Sequence, residues 1–156
     1  MKISKILIGI DDSKFAEYAA SYGFDIAHTF NAHVGLVHIV EPAVIADITN
    51  DTIMGLPIQR DDYNEVNILS IQKEQANNII ERTIEKYAKG LEVTCFNEYD
   101  STADGILSCS KEFKADLIVI GTHSRSGIDR LLMGSVAESV VRNAQVPVLV
   151  VPLVKE

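Results

Sequence analysis

The sequence has no tryptophan and only two cysteines and four prolines among its 156 residues. Two cysteines are too few for a disulfide framework or a four-ligand zinc site, so we expect Cys95 and Cys109 to be small buried hydrophobic residues. Basic residues are also scarce, because 14 Lys and Arg stand against 22 Asp and Glu, giving a formal net charge of −8. This balance argues against nucleic acid and anionic membrane as partners, but a small anionic ligand needs only a local field.

Long hydrophobic runs are missing as well. The longest mainly apolar stretch, 146–154, is interrupted by two prolines and is far shorter than the roughly 20 residues of a membrane span. The first residues lead directly into a short apolar segment that ends at Asp11, and no signal peptide is visible. We therefore expect a cytoplasmic protein without a membrane span.

Hydrophobic residues, in contrast, are plentiful at 47% of the chain. A folded chain of this length buries about 69% of the surface that its unfolded form exposes. That burial supports a core without disulfides or a structural metal. We expect a single domain over residues 1–156.

Strand and helix patterns alternate along the chain. Runs rich in β-branched residues predict five strands, over 5–10, 34–40, 91–96, 116–121 and 146–151. Apolar residues at spacings of three and four predict helices over 13–30 and 65–89, from Ser101 or Thr102 onward, and from about Ser135 to Gln145. Asp12 or Ser13 is the expected cap of the first helix. The alternation indicates an α/β fold with three α/β/α layers and a five-stranded parallel sheet.

Two connections are long for such a fold, at 41–64 and 122–133. The first mixes acidic residues with isoleucines. Either it is a surface excursion, or it is a lid or a surface for a protein partner.

Candidate binding residues follow the strands, because ligands of parallel sheets collect at the carboxyl ends of the strands. Gly9 and Asp11 follow the first strand. Gly121 would let the backbone turn closely off the fourth strand, and Ser124 offers a hydroxyl. Gly134 opens a helix whose first N–H groups are unpaired and attract anions. The pattern predicts a triphosphate site, although an ordinary connection with turn-forming glycines remains an alternative.

Other polar residues have two interpretations each. The pair Asp11 and Asp12 could hold a metal, or could be one site residue and one helix cap. His123 could contact a phosphate or ribose, and Arg125 could cover phosphates unless it is a solvated loop charge. The sequence contains no G-x-x-x-x-G-K-[ST] motif and no evident general base. We therefore expect that the protein is not an enzyme, or that it has at most a weak ATPase activity.

These motifs together resemble the universal stress protein family, in particular its ATP-binding branch. The resemblance covers nearly the whole chain and is sharpest over 120–127, 132–137 and 146–151. Gly121, Gly134 and Ser135 match the nucleotide motif of the family, whereas Ser124 replaces its middle glycine. If that glycine only supplies an N–H group, serine keeps the function.

The resemblance implies an adenine nucleotide alpha-hydrolase-like fold with strand order 3-2-1-4-5. It implies bound ATP, ADP or AMP, with Mg²⁺, and a homodimer through the last strand at Val148, Leu149, Val150 and Val151. Asp11 would lie against adenine and ribose, and Ile39 would flank the base. Gly121 and Ser124 would line ribose and phosphates. The full expected nucleotide site comprises Gly9, Asp11, Ile39, Ile120, Gly121, His123, Ser124, Arg125, Gly134, Ser135 and Val136.

Three functions follow as hypotheses. The first is an adenine-nucleotide-binding protein in which the nucleotide regulates a stress response or signalling. The second is a nucleotide-free interaction protein that uses its dimer and the 41–64 surface to bind an unknown protein partner. The third is a phosphoacceptor receiver domain, which would use the acidic pair after the first strand but has no clear acceptor aspartate after the third.

Overall fold

The computed structural model describes residues 3–41, 52–53, 56–57, 63–122 and 134–153. The elements in chain order are β1 (Lys5–Gly9), α1 (Lys14–Phe30), β2 (His33–Val40), β3 (Thr52–Ile53), β4 (Leu56–Pro57), α2 (Tyr63–Tyr87), β5 (Val93–Tyr99), α3 (Thr102–Phe113), β6 (Leu117–Thr122), α4 (Ser135–Asn143) and β7 (Val148–Pro152). Among the described residues, no helix is long and apolar enough to cross a membrane.

The main sheet has five parallel strands in the order β5-β2-β1-β6-β7. Counted along the chain without the short hairpin, this order is 3-2-1-4-5, so the expected topology is confirmed. Ile6 of β1 pairs with Val34 on one side and Leu117 on the other. The hairpin β3–β4, which lies in the long 41–64 connection, is antiparallel and was not predicted.

Two hydrophobic clusters fill the two faces of the sheet. Ile6 and Ile8 belong to a cluster with α1 and α2, whereas Leu7 between them belongs to a cluster with α3 and α4. The central strands β1, β2 and β6 therefore bury both of their faces, which explains why they are nearly continuously apolar rather than alternating. The three-layer α/β/α prediction is confirmed.

Helix starts follow the expected capping chemistry. The Ser13 side chain accepts a hydrogen bond from the Ala16 amide at 3.1 Å, and Ser101 accepts one from the Asp104 amide at 3.4 Å. The end of α2 differs, because the helix stops at Tyr87 and not at 89.

The edge strand β5 corrects two expectations. It runs to Tyr99, so Asn97 lies within the strand, where it pairs with His38 of β2, and not after it. Cys95 is exposed rather than buried. An edge strand has a partner on only one side, so polar residues fit there and the sequence shows no apolar run. Cys109 is buried on α3, and burial raises the pKa of its thiol to about 11.

Candidate functional site

A cavity of about 220 Å³ lies at the carboxyl ends of β1, β2 and β6. Strand ends supply its floor, and the first turns of α1, α3 and α4 supply its walls. The described lining residues are Gly9, Ile10, Asp11, Ser13, Phe15, Ala16, Val37, Ile39, Thr102, Ile106, Ile120, Gly121 and Val136.

Most of this lining is apolar. Ile39 of β2 faces α3, where a Cβ on Gly105 would lie only 2.5 Å from the Ile39 Cδ1. Ile106 and Ile120 are buried beside it. These side chains make one part of the cavity apolar, which we call the apolar slot, and it can hold a flat, weakly polar group.

Gly121 has a different role from the one expected. Its φ does not lie in the left-handed region, so no special turn requires glycine there. A Cβ at this position would lie 2.6 Å from the Phe15 carbonyl oxygen and 3.1 Å from the Ala16 amide nitrogen. The glycine is required because the first turn of α1 lies directly against the end of β6.

Asp11 is the acidic residue among the described lining residues. Its Oδ1 accepts a hydrogen bond from the Ser13 amide at 2.7 Å. Its Oδ2 has no hydrogen-bond partner in the described part of the chain. The neighbouring Asp12 instead pairs with Arg82 of α2 at 3.0 Å, on the surface. The two carboxylates therefore act separately, and Ser13 rather than Asp12 caps α1.

The start of α4 completes the rim of the cavity. Gly134 is its N-cap residue, with φ 71° and no side-chain cap hydrogen bond. This positive φ favours glycine over any residue with a Cβ. Gly134 has no side chain that could accept from the first-turn N–H groups of α4, and the helix dipole favours an anion there. Val136 in this turn lines the cavity, so the donors lie at its edge.

Glu41 and Thr102 form a contact that the sequence did not indicate. One Glu41 carboxylate oxygen accepts hydrogen bonds from the Thr102 hydroxyl and from its amide, at 2.5 and 3.3 Å. The contact joins the end of β2 to the first turn of α3, and Thr102 lines the cavity. The two residues are 61 positions apart in the sequence. The contact could have been suggested only by their places in the fold, Glu41 directly after β2 and Thr102 at the start of α3.

His38 lies on the opposite face of β2 from Ile39. Its Nδ1 and the Asn97 Oδ1 are buried and have no hydrogen-bond partner among the described residues. Burial lowers the pKa of His38, and the charge of Asp11 opposes that shift.

The structure brings most of the predicted site together. Six of the predicted residues line the cavity, namely Gly9, Asp11, Ile39, Ile120, Gly121 and Val136. Gly134 and Ser135 lie at the adjoining helix start. His123, Ser124 and Arg125 are outside the described residues. Sequence reasoning missed the wall residues Phe15, Val37, Thr102 and Ile106, whose apolar or small side chains carry no distinctive signal.

The model of the universal stress protein family matches residues 2–152. The chain belongs to this family. It is 31% identical over 147 residues to the universal stress protein MJ0531 of Methanocaldococcus jannaschii, covering 94% of this chain and 81% of that protein.

Solved structures share the family fold. The hypothetical protein MJ0577 superposes with a TM-score of 0.78 at 22% identity, and the match covers 100% of both chains. A universal stress protein in complex with cAMP gives 0.64 at 22% identity, covering 97% of this chain and 98% of that one. The universal stress protein of Archaeoglobus fulgidus in complex with dAMP gives 0.61 at 20% identity, covering 96% and 98%.

Proposed function

We propose that this universal stress protein binds an adenine nucleotide in the strand-end cavity, as a ligand that regulates a stress response or signalling. The observation that carries the proposal is that two different parts of one cavity lie side by side. One part is the apolar slot, and the other is the start of α4, which Gly134 does not cap with a side chain. A nucleotide has the same two halves, a flat base and an anionic phosphate chain.

The base and ribose fit the slot. Ile39 and Ile106 offer apolar contacts to the faces of a purine. The free Oδ2 of Asp11 is an acceptor for ribose hydroxyls or for an exocyclic amine. The two universal stress proteins described in complex with cAMP and dAMP support an adenine ligand.

The phosphates fit the start of α4, where the N–H groups of Ser135 and Val136 are donors. The described lining contains a carboxylate, Asp11, and no Lys or Arg. Phosphate charge therefore needs further compensation. Arg125 is one candidate from sequence, and Mg²⁺ is another, since it binds phosphates together with one or two carboxylates and water. Mg²⁺ bound to the phosphates would supply charge neutralisation.

Titration calorimetry with ATP, in Mg²⁺ and in EDTA, tests the proposal. We expect binding that weakens in EDTA, and a loss of about tenfold or more in Asp11→Ala, the size of one hydrogen bond to a charged group. Asp12→Ala is the matched control, because it removes the same charge one residue away from the cavity. If purified protein carries no ATP, ADP or AMP and does not bind ATP at millimolar concentration, the proposal fails.

The nucleotide-free interaction protein remains the second candidate, and the serine at 124 favours it. The discriminating experiment is Ser124→Gly. If the native protein fails to bind ATP and the variant gains binding, the serine has disabled the site, and the interaction function is the better account.

We further propose that the protein is a homodimer through β7. Within the described residues this strand pairs only with β6, and Val148, Leu149 and Val150 are half-buried at the free edge. An unpaired apolar edge is an aggregation hazard unless it is covered. Analytical ultracentrifugation should give a dimer that Val148→Lys dissociates; a monomeric native protein refutes the proposal.

A further inference from the structure

We infer that Glu41 and Thr102 determine which purine the strand-end cavity accepts. The pair selects a base with an exocyclic amine, as in adenine, over a base with an exocyclic carbonyl in the same place, as in hypoxanthine. The inference rests on the proposed function and adds the residues that set its base specificity. Thr102 acts on the base directly, whereas Glu41 is a positioning residue that acts through Thr102.

Thr102 lies at the outer end of the apolar slot. It precedes Ile106 by four residues on α3, so the two side chains lie on the same face of the helix, about 6 Å apart along its axis. Ile106 is buried and Thr102 is half-buried, and both line the cavity together with Ile39. A flat base held between Ile39 and Ile106 therefore presents one edge to Thr102.

The hydroxyl of Thr102 has a single hydrogen, and Glu41 holds it. Oγ1 of Thr102 donates to Oε1 of Glu41 at 2.5 Å, and an ionised carboxylate only accepts. The Thr102 amide donates to the same oxygen at 3.3 Å, and the helix dipole favours the negative charge of Glu41 at this N-terminus. With its hydrogen directed to Glu41, the hydroxyl offers only lone pairs to a ligand.

The neighbouring polar side chains reinforce this acceptor character. Asp11 is an acceptor, and Ser13 caps α1 in the helix layer on the other face of the sheet from α3. Ser101, which precedes Thr102, directs its own hydroxyl hydrogen to Asp104 at 2.6 Å. The edge of the base therefore meets oxygen acceptors. An amine can donate to them, whereas a carbonyl would face another acceptor, and neither oxygen would then have a hydrogen bond.

Calorimetry with ATP and with inosine triphosphate (ITP), both in Mg²⁺, tests the inference, because these nucleotides share their ribose and phosphates and differ in the base. We expect the native protein to bind ATP about tenfold more tightly than ITP, the size of one unmade hydrogen bond. Glu41→Ala releases the Thr102 hydroxyl, which can then turn and donate to a carbonyl. ATP should bind more weakly and ITP more tightly to this variant, with a preference of about twofold or less.

Two further variants separate this role from a structural one. Glu41→Gln should keep the preference, because its amide oxygen still accepts from Thr102. Glu98→Ala is the matched control: it removes an exposed carboxylate that is in register with Ile39 but is not the acceptor for Thr102. This control should leave the ratio of the two affinities unchanged. A general loosening of the fold would weaken both nucleotides alike and would not move that ratio.

The outcomes distinguish this inference from the proposed function. If the native protein binds neither nucleotide, the proposed function fails, and base selectivity fails with it. If the native protein binds ATP and ITP equally, or if Glu41→Ala weakens both to the same extent, nucleotide binding stands and the role of the pair is overturned.

Discussion

Gly121→Ala should strongly destabilise the fold, although it adds a single methyl group. The new Cβ would lie 2.6 Å from the Phe15 carbonyl oxygen and 2.7 Å from its carbonyl carbon. Both atoms are backbone, so relief requires α1 to move away from β6. Overpacking a well-packed core costs about 1–3 kcal/mol, and a backbone obstacle places this change at the upper end, at about 3 kcal/mol.

Gly23→Ala provides the comparison. The shortest distance from the added Cβ is the same as at Gly121, but the atom that it meets belongs to a side chain and not to the backbone. Its Cβ would lie 2.6 Å from Cδ1 and 2.9 Å from Cγ1 of Ile8, but these are side-chain atoms, which can shift more easily than backbone. Alanine is also better than glycine inside a helix by about 1 kcal/mol. This gain offsets part of the overlap, so we expect a net loss of about 1 kcal/mol.

Urea unfolding followed by circular dichroism measures both variants. The expected order of midpoints is native, then Gly23→Ala, then Gly121→Ala. Because Phe15 and Ala16 line the strand-end cavity, Gly121→Ala should also weaken ATP binding while it is still folded. If Gly121→Ala unfolds at the native midpoint, or later than Gly23→Ala, then close approach of α1 is not the reason for glycine at this position.

Three further outcomes are expected. Glu41→Ala should weaken ATP binding about two- to fivefold by releasing Thr102, whereas Glu41→Gln should keep most of the affinity because its amide oxygen still accepts; equal losses in calorimetry would contradict this. Hydrogen bonds from Ser4 lower the pKa of Asp116 below 3.8. The contribution of Asp116 to the free energy of unfolding is therefore present above pH 3.8 and is lost as the pH falls through the folded pKa. Asp116→Asn should lower stability in urea titrations at neutral pH but not in strong acid. Burial lowers the pKa of His38 below 6.5, so the unfolded state binds the extra proton and stability falls as the pH drops below that value; His38→Gln should flatten this part of the profile.

The sequence predicts the main strands because a strand that is buried on both faces appears as a nearly continuous run of apolar residues. Runs such as 34–40 are apolar except for one residue, His38, and Ser13 and Ser101 are visible caps. The end of β5 was missed because an edge strand tolerates polar residues, and Asn97 carries no apolar pattern. Strand order came from the family resemblance, since alternation of strand and helix specifies parallel pairing but not which strands are neighbours.

The candidate site was predictable where its residues follow strands, and not where contacts join distant parts of the chain. Asp11 and Gly134 could be found by position and residue type. The role of Gly121 could not, because it depends on where Phe15 lies after folding. Glu41 and Thr102 likewise become neighbours only when β2 and α3 pack together.

For the proposed nucleotide function, the acidic character of the chain requires that most of the phosphate-binding energy come from backbone N–H groups. A net charge of −8 opposes a phosphate chain, but exposed charges are screened over about 8 Å at physiological ionic strength. The N–H groups at the start of α4 act at contact distance, where screening is slight. Gly134 has no side chain to cap that helix start, so it does not compete with a ligand for the first-turn donors. A residue with a capping side chain there would both strain the backbone and compete with the phosphate. For this reason, changes at 134–136 should affect nucleotide affinity more than charge changes on the distant surface.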